Sequence, residues 1–253
     1  MRVTVCQMPD GTAAFDRAWG RLAAHRREEG SDLVLLPELP FHPWFGRERL
    51  FDPAIWQAVV AAHRAWEPRL GELGAQTVTG TRATESRGRR FNEGFIWTAK
   101  DGVVPVHRKV HLPDEPGVRE TSWYHPGPPR FVPAKAGRAT VGFLICSEIW
   151  AMDRATEYAD RGVQLLLSPR LTEKESVSQW LAAGKTTAML AGAYSLSSNR
   201  WSRDGEFGGA GWVVSPEGEV LATTSVRRPF ATVEVDLRAA DRAKKTYPRS
   251  LFR

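Results

Sequence analysis

The stretch VGFLICSEIW, residues 141–150, decides how this chain is read. An apolar run ends at Cys146, and polarity returns at once with Ser147 and Glu148. A cysteine that only fills a core sits more naturally inside such a run than at its end. The position therefore raises a second role, a thiol held out at a strand tip to react. Two other apolar stretches end in a group capable of chemistry: LVLLPE delivers Glu38 and VPVHRK delivers Lys109. In open α/β sheets, sites gather beyond the carboxyl ends of strands, so three such ends can converge. Singly, each has a plainer explanation: a loop acid, a surface lysine, a small buried hydrophobe. Together they suit one mechanism. A thiolate attacks, a carboxylate takes the thiol proton and later activates water, and an ammonium stabilises the developing oxyanion.

Outward from these three ends the pattern alternates. RVTVCQM predicts a strand, and residues 13–29 a helix with Phe15, Trp19, Leu22 and Ala23 at helical spacing. DLVLLPE reads as a buried strand. Residues 53–73 read as a helix capped by Asp52 with Pro53 in its first turn. QTVTGTRAT is a strand, and FNEGFIWTAKDGVVPVHRKVHL two strands about a KDG turn. A polar loop over 113–130 leads into RATVGFLIC. Helix 153–161, strand VQLLLSP, helix 174–191 and strand AYSLSSNR follow. A hairpin turning at PEG and the strand FATVEVDL close the set. With no repeat, linker or composition break, this is one α/β domain over residues 1–253 with helices covering its sheets, and a basic tail from about 240. Pattern alone does not separate two stacked sheets from one wound sheet.

Composition narrows the function classes. The 253 residues are 42% hydrophobic and 25% charged, as in soluble globular proteins. No run approaches the roughly 18 apolar residues of a membrane helix, and MRVTVCQMPD reads as a strand, not a signal peptide. Two cysteines make no disulfide framework, which fits a reducing cytoplasm. The net charge of +6 invites a nucleic-acid partner, but the basic clusters at 86–90 and 242–250 lack interleaved aromatics, so none is expected. His and Cys do not fall at ligand spacing and no Gly-rich phosphate loop follows a strand, so neither metal nor organic cofactor is implied.

LLPELPF, HRKVHLPDEPGVRETSWYHPG and VGFLICSEIW resemble, in order, the three signature segments of the nitrilase superfamily of carbon–nitrogen hydrolases. That resemblance implies a four-layer α-β-β-α sandwich that usually dimerises, built around a Glu-Lys-Cys triad. Carried over by motif, Glu38 is the general base, Lys109 the oxyanion cation and Cys146 the nucleophile, with the Ser147 backbone N–H completing the oxyanion hole. Glu120 falls where the family often has a second glutamate beside the lysine. The branches most resembled are amidases that cleave linear amides and N-carbamoyl amines, so a small amide or carbamoyl substrate is expected. A nitrile-hydrolysing enzyme and a catalytically silent binding module are the alternatives. Trp150 matches an aromatic of the carbamoyl-cleaving branch, whereas Ser147 stands where an aromatic is usual. Trp44 and Trp123 lie in segments expected to border the pocket, and Arg200 is a candidate for an anionic substrate end.

Overall fold

The computed structural model describes residues 1–252. The chain opens with strand β1 (Arg2–Pro9), helix α1 (Thr12–Glu29), strand β2 (Leu33–Leu35) and helix α2 (Pro53–Trp66). Antiparallel strands β3 (Thr77–Ser86), β4 (Arg89–Thr98) and β5 (Gly102–Arg108) follow. A long connection carries the short strands β6 (Asp114–Glu115) and β7 (Val118–Arg119) and a helical turn, α3 (Glu120–Trp123). Next come β8 (Ala134–Ala136), β9 (Ala139–Phe143), a 3₁₀ turn over Cys146–Trp150, helix α4 (Met152–Asp160), β10 (Leu165–Arg170), helix α5 (Val177–Ala191) and β11 (Tyr194–Trp201). Strands β12 (Trp212–Val214), β13 (Val220–Thr223) and β14 (Phe230–Glu234), helix α6 (Leu237–Ala243) and a 3₁₀ turn over Arg249–Phe252 complete the order.

Local chemistry sets several of these boundaries. The Asp52 carboxylate accepts from the Ala54 N–H at 2.7 Å and the Ile55 N–H at 3.3 Å, as the sequence predicts. The helix expected over 53–73 stops at Trp66 and continues as a 3₁₀ turn over Glu67–Leu73. Pro68 explains the change, since its ring removes an N–H and clashes with the α-helical ladder.

The strands form one twelve-stranded sheet with two halves joined at β1. Residues 3–5 of β1 pair in parallel with Leu33–Leu35, while its residues 7–9 pair in parallel with Asn199–Trp201. One half runs β5-β4-β3-β2-β1 with β14 beside β1, and the other runs β8-β9-β10-β11 with β12 and β13 beyond. Side chains alternate faces along a strand, so Val3, Val5, Leu33 and Leu35 meet Val141, Phe143, Leu165 and Leu167 in one cluster between the halves. The intervening Cys6, Met8, Val34 and Leu36 pack instead with Phe15, Trp19 and Leu22 of α1. On the other half, Leu144 and Leu166 pack with Ala155 and Tyr158 of α4, and Trp212 and Val214 pack with Ala183 and Ala188 of α5. The result is the expected α-β-β-α sandwich. Each fully buried aliphatic side chain contributes about 1.5–3 kcal/mol, and a one-residue slip of β1 would exchange its two sets.

The C-terminal segment differs from the tail expected there. Ala240 of α6 belongs to the cluster between the sheet halves, and Arg249 is buried. Its guanidinium donates to Met189 O at 2.8 Å and Ala243 O at 2.6 Å, which satisfies carbonyls at the ends of α5 and α6. A basic residue reads as solvated in sequence; here it is a helix-end cap.

Candidate active site

The ends of β2 and β5 bring Glu38 and Lys109 together, and Glu148 ties the turn after β9, which carries Cys146, to Val110 beside Lys109. Lys109, one residue past β5, is buried, and its ammonium donates to Glu38 Oε1 at 2.8 Å and Glu120 Oε1 at 2.7 Å. An ammonium has three N–H donors, so one remains after these two bonds. Asn92 on β4 ties the cluster together: its Nδ2 donates to Glu38 Oε1 at 2.7 Å, and its backbone carbonyl accepts from the Lys109 N–H at 2.9 Å. Glu120 begins α3, in the loop that sequence reads as irregular, and is 2% exposed.

Cys146 starts the 3₁₀ turn after β9 with φ 47, in the left-handed region that side chains other than glycine's avoid. Leu39, directly after Glu38, has φ 42. Strain of this kind, of order 1–3 kcal/mol per residue, persists where surrounding bonds over-determine the backbone. Both positions are clamped. Glu148 Oε2 accepts from the Ile145 N–H at 2.8 Å, and Oε1 accepts from the Val110 N–H at 2.7 Å. His107 Nε2 lies 2.9 Å from the same carboxylate. One buried acid therefore fixes the cysteine turn against the strand end that carries Lys109. Leu39 is held by Thr81 Oγ1, which accepts its N–H at 2.7 Å, and by Arg200.

Arg200 does not present its charge to a substrate. Its guanidinium is spent on Asp10 and on the carbonyls of Glu38, Leu39 and His42. It shapes the loop that carries Glu38.

The electrostatics follow from one cation among several acids. Burial alone would lower the Lys109 pKa, but Glu120 and Glu38 outweigh it, so the value lies above the ordinary lysine range and the group stays an ammonium. Burial raises Glu120 to about 7; Lys109 opposes the rise and the Glu38 charge adds to it. Burial and the two carboxylates push the Cys146 thiol well up, with Lys109 pulling the other way. The thiol thus rests protonated and needs a base. Glu38 Oε2 is buried without a hydrogen-bond partner, which leaves a lone pair for that proton.

The remaining sequence candidates spread around this cluster. The Ser147 hydroxyl donates to His111 O at 2.6 Å, and its N–H precedes the first bond of the 3₁₀ turn, from the Glu148 N–H to Ile145 O, where amides lack intrahelical acceptors. Trp150 is 48% exposed, with its ring 5.4 Å from Trp180. Trp44 and Trp123 are buried in an aromatic cluster with Leu39, Tyr124 and Leu171. Trp123 is fully buried and donates to Glu48 O at 2.8 Å. Sequence reading passed over Asn92 and Glu148 as a clamp, and took Tyr124 only as one of the SWY aromatics at 122–124 expected to border the site. It also passed over Arg170, fully buried, with its guanidinium 4.0 Å over the Trp212 ring and bonded to Ser197, Thr172 and Ala210. A polar residue between apolar neighbours, as in FNEGF, is the signal that was available for Asn92.

The carbon-nitrogen hydrolase family model matches residues 2–245. The chain is 27% identical over 244 residues to a glutamine-dependent NAD(+) synthetase of Rhodobacter capsulatus, covering 93% of this chain and 43% of that protein. It is 28% identical over 156 residues to N-carbamoylputrescine amidase of Oryza sativa subsp. japonica, covering 54% of this chain and 51% of that enzyme. The chain thus spans about half the length of these curated relatives. Its fold matches, with a TM-score of 0.79 at 20% identity, a mutant of the amidase from Nesterenkonia sp. AN1 showing covalent addition of the acetamide moiety of fluoroacetamide at the active site cysteine; the match covers 100% of this chain and 95% of that one. With the family model spanning nearly its whole length, this chain belongs to the carbon–nitrogen hydrolase family.

Proposed function

We propose that the protein hydrolyses the C–N bond of a linear amide or N-carbamoyl compound through a thioester on Cys146. The observation that carries this reading is the buried Lys109 ammonium held between Glu38 and Glu120 beside the left-handed Cys146 turn. Glu38 takes the thiol proton as sulfur attacks the carbonyl carbon. The oxyanion forms against the third N–H of Lys109 and the Ser147 N–H. Collapse breaks the C–N bond, and the protonated Glu38 returns its proton to the leaving nitrogen, which departs as ammonia or an amine. Glu38 then deprotonates water, which attacks the thioester; the acid leaves and the thiol is restored. Glu120 holds the lysine and faces the substrate nitrogen. Trp150 and the Trp44 and Trp123 cluster border the acyl side.

The covalent cysteine adduct of the Nesterenkonia amidase and the carbamoyl specificity named for the rice relative support this choice of chemistry. The same proposal takes residues 1–253 as one catalytic domain, cytoplasmic and paired with a second copy; the two free cysteines fit a reducing compartment. Among the described residues, no helix is long and apolar enough to cross a membrane. Ammonia release from a panel of amides, carbamoyl amines and nitriles tests the reading. Turnover of amides or carbamoyl amines that is lost in Cys146→Ala is expected. Turnover of nitriles alone would move the assignment to a nitrilase, and no turnover at all would point to a binding module.

A further inference from the structure

Arg170, the last residue of β10, is fully buried, and among the described residues no carboxylate pairs with it. A buried charge is costly unless its surroundings compensate it. Here the compensation is a three-way fork. Nε donates to Ser197 Oγ at 2.7 Å, one terminal nitrogen to Thr172 Oγ1 at 2.8 Å and the other to Ala210 O at 2.9 Å. The guanidinium carbon also lies 4.0 Å from the centre of the Trp212 ring, a cation–π contact. That ring is fixed by its own bond to Ser195 Oγ at 3.2 Å, and it lies so close under α5 that a Cβ on Gly184 would stand 2.6 Å from it. Burial lowers the Arg170 pKa to about 9, with Cys146 pulling the other way, so the group stays a cation at neutral pH.

The segment held by this fork touches both Glu38 and Cys146. Arg170 O accepts the Glu38 N–H at 3.2 Å, and Leu171 O accepts from Cys146 Sγ at 3.8 Å. Thr172 O accepts the Gly208 N–H at 2.9 Å, and the Thr172 N–H donates to Asn199 Oδ1 at 3.1 Å. Among the described residues, four other than glycine are left-handed: Leu39, Arg87, Cys146 and Ala210. Arg87 sits at the tip of the β3–β4 hairpin. The other three converge on residues 170–172: Leu39 follows Glu38, Cys146 reaches Leu171, and the Ala210 carbonyl ends one arm of the fork. Backbone in such conformations persists where its neighbours over-determine it. We propose that Arg170 is a positioning residue: its fork fixes residues 170–172 and thereby sets the alignment of the Cys146 thiol against Glu38. The inference rests on the hydrolase reading above and extends it to a side chain whose own bonds all end on the protein.

Arg170→Lys keeps a cation, but its single nitrogen cannot reproduce the planar fork. Thr172→Val keeps the side-chain shape and removes one of the fork's acceptors. Both are made in the full chain. For an amide that the wild-type protein turns over, kcat is expected to fall about tenfold to a hundredfold in Arg170→Lys, the scale of a small misplacement of reacting atoms, and by less in Thr172→Val. KM is expected to stay within about twofold, since uniform substrate binding is untouched. Both changes act through one segment, so their losses in ln kcat are expected to be less than additive in the double variant. Iodoacetamide alkylation of Cys146, followed by peptide mass spectrometry, reads the same alignment without turnover; it is expected to slow in both variants while Cys6 is unchanged. A normal kcat in Arg170→Lys, a raised KM in place of a lowered kcat, or fully additive losses would overturn the proposal. If Arg170→Lys does not fold, the kcat and alkylation rate of Thr172→Val decide alone. If alkylation slows in the variants while the wild-type protein turns over no amide or carbamoyl amine, the alignment by Arg170 stands and the hydrolase reading falls.

Discussion

Cys6 and Cys146 are both free and both buried, and their surroundings diverge from there. Cys6 lies in the middle of β1, where its thiol donates to Leu35 O at 3.3 Å and its N–H donates to Ser198 Oγ at 2.9 Å. Burial raises its pKa to about 12, opposed only weakly by Ser198. Cys146 sits in a left-handed turn with one long contact, 3.8 Å to Leu171 O, and with an ammonium acting on it against two carboxylates. Burial by itself makes a thiol inert. What separates the two is a carboxylate oxygen with a free lone pair and a fixed cation, both on residues remote in sequence.

The sharpest way to break this comparison is to delete each sulfur in turn. Cys146→Ala is expected to lower kcat by roughly 10⁴–10⁶-fold, as removal of a nucleophile does, with the fold intact by circular dichroism. Cys6→Ala is expected to leave kcat within about twofold and to lower stability by about 1 kcal/mol, the scale of one buried methylene. Equal losses would dissolve the distinction.

Lys109→Ala comes next. Losing the oxyanion donor is expected to lower kcat by about 10²–10³-fold, and two buried carboxylates left without their cation cost about 3–5 kcal/mol, read as a lower urea midpoint. A variant with normal kcat would show that the ammonium holds structure and no more.

Glu148→Gln probes how the cysteine turn is held. The amide can accept from one of the Ile145 and Val110 N–H groups where the carboxylate accepts from both, so a loss of about 1–3 kcal/mol is expected with a parallel fall in kcat. Unchanged stability would mean that the turn is fixed by the 3₁₀ bonds instead.

The smallest effect is a pH dependence. The folded Glu120 pKa, about 7, lies above the ordinary value of 4.5 expected when unfolded. The native state therefore binds the extra proton between these values. Its stabilising contribution is complete below about 4.5 and is lost as pH rises through about 7. Glu120→Gln is expected to flatten urea-derived stability across that window, and an unchanged slope would place the titration elsewhere.

Much of the framework was legible because it depends on local pattern. Apolar runs marked β1, β2 and β9, helical spacing marked α1, and Asp52 announced the start of α2. Glu38, Lys109 and Cys146 were visible because each ends such a run. What sequence could not carry was pairing across distance. Asn92 binds Glu38 across 54 positions, and Arg200 reaches the Glu38 carbonyl across 162. Arg200 read as a substrate ligand because nothing local shows that four acceptors already surround it. Arg249 read as tail for the same reason. Tyr124 stood within SWY, a segment expected to border the site, but its buried hydroxyl without a partner depends on packing that no local pattern shows.

The central claim is that Cys146 carries the acyl group. Mixing the protein with a primary amide that it turns over, quenching in acid and mapping the adduct by peptide mass spectrometry tests this directly. The expected result is one acyl increment on the peptide containing Cys146, with none on Cys6 and none after Cys146→Ala. Turnover that persists in Cys146→Ala, or an acyl group mapped to any other residue, would contradict it.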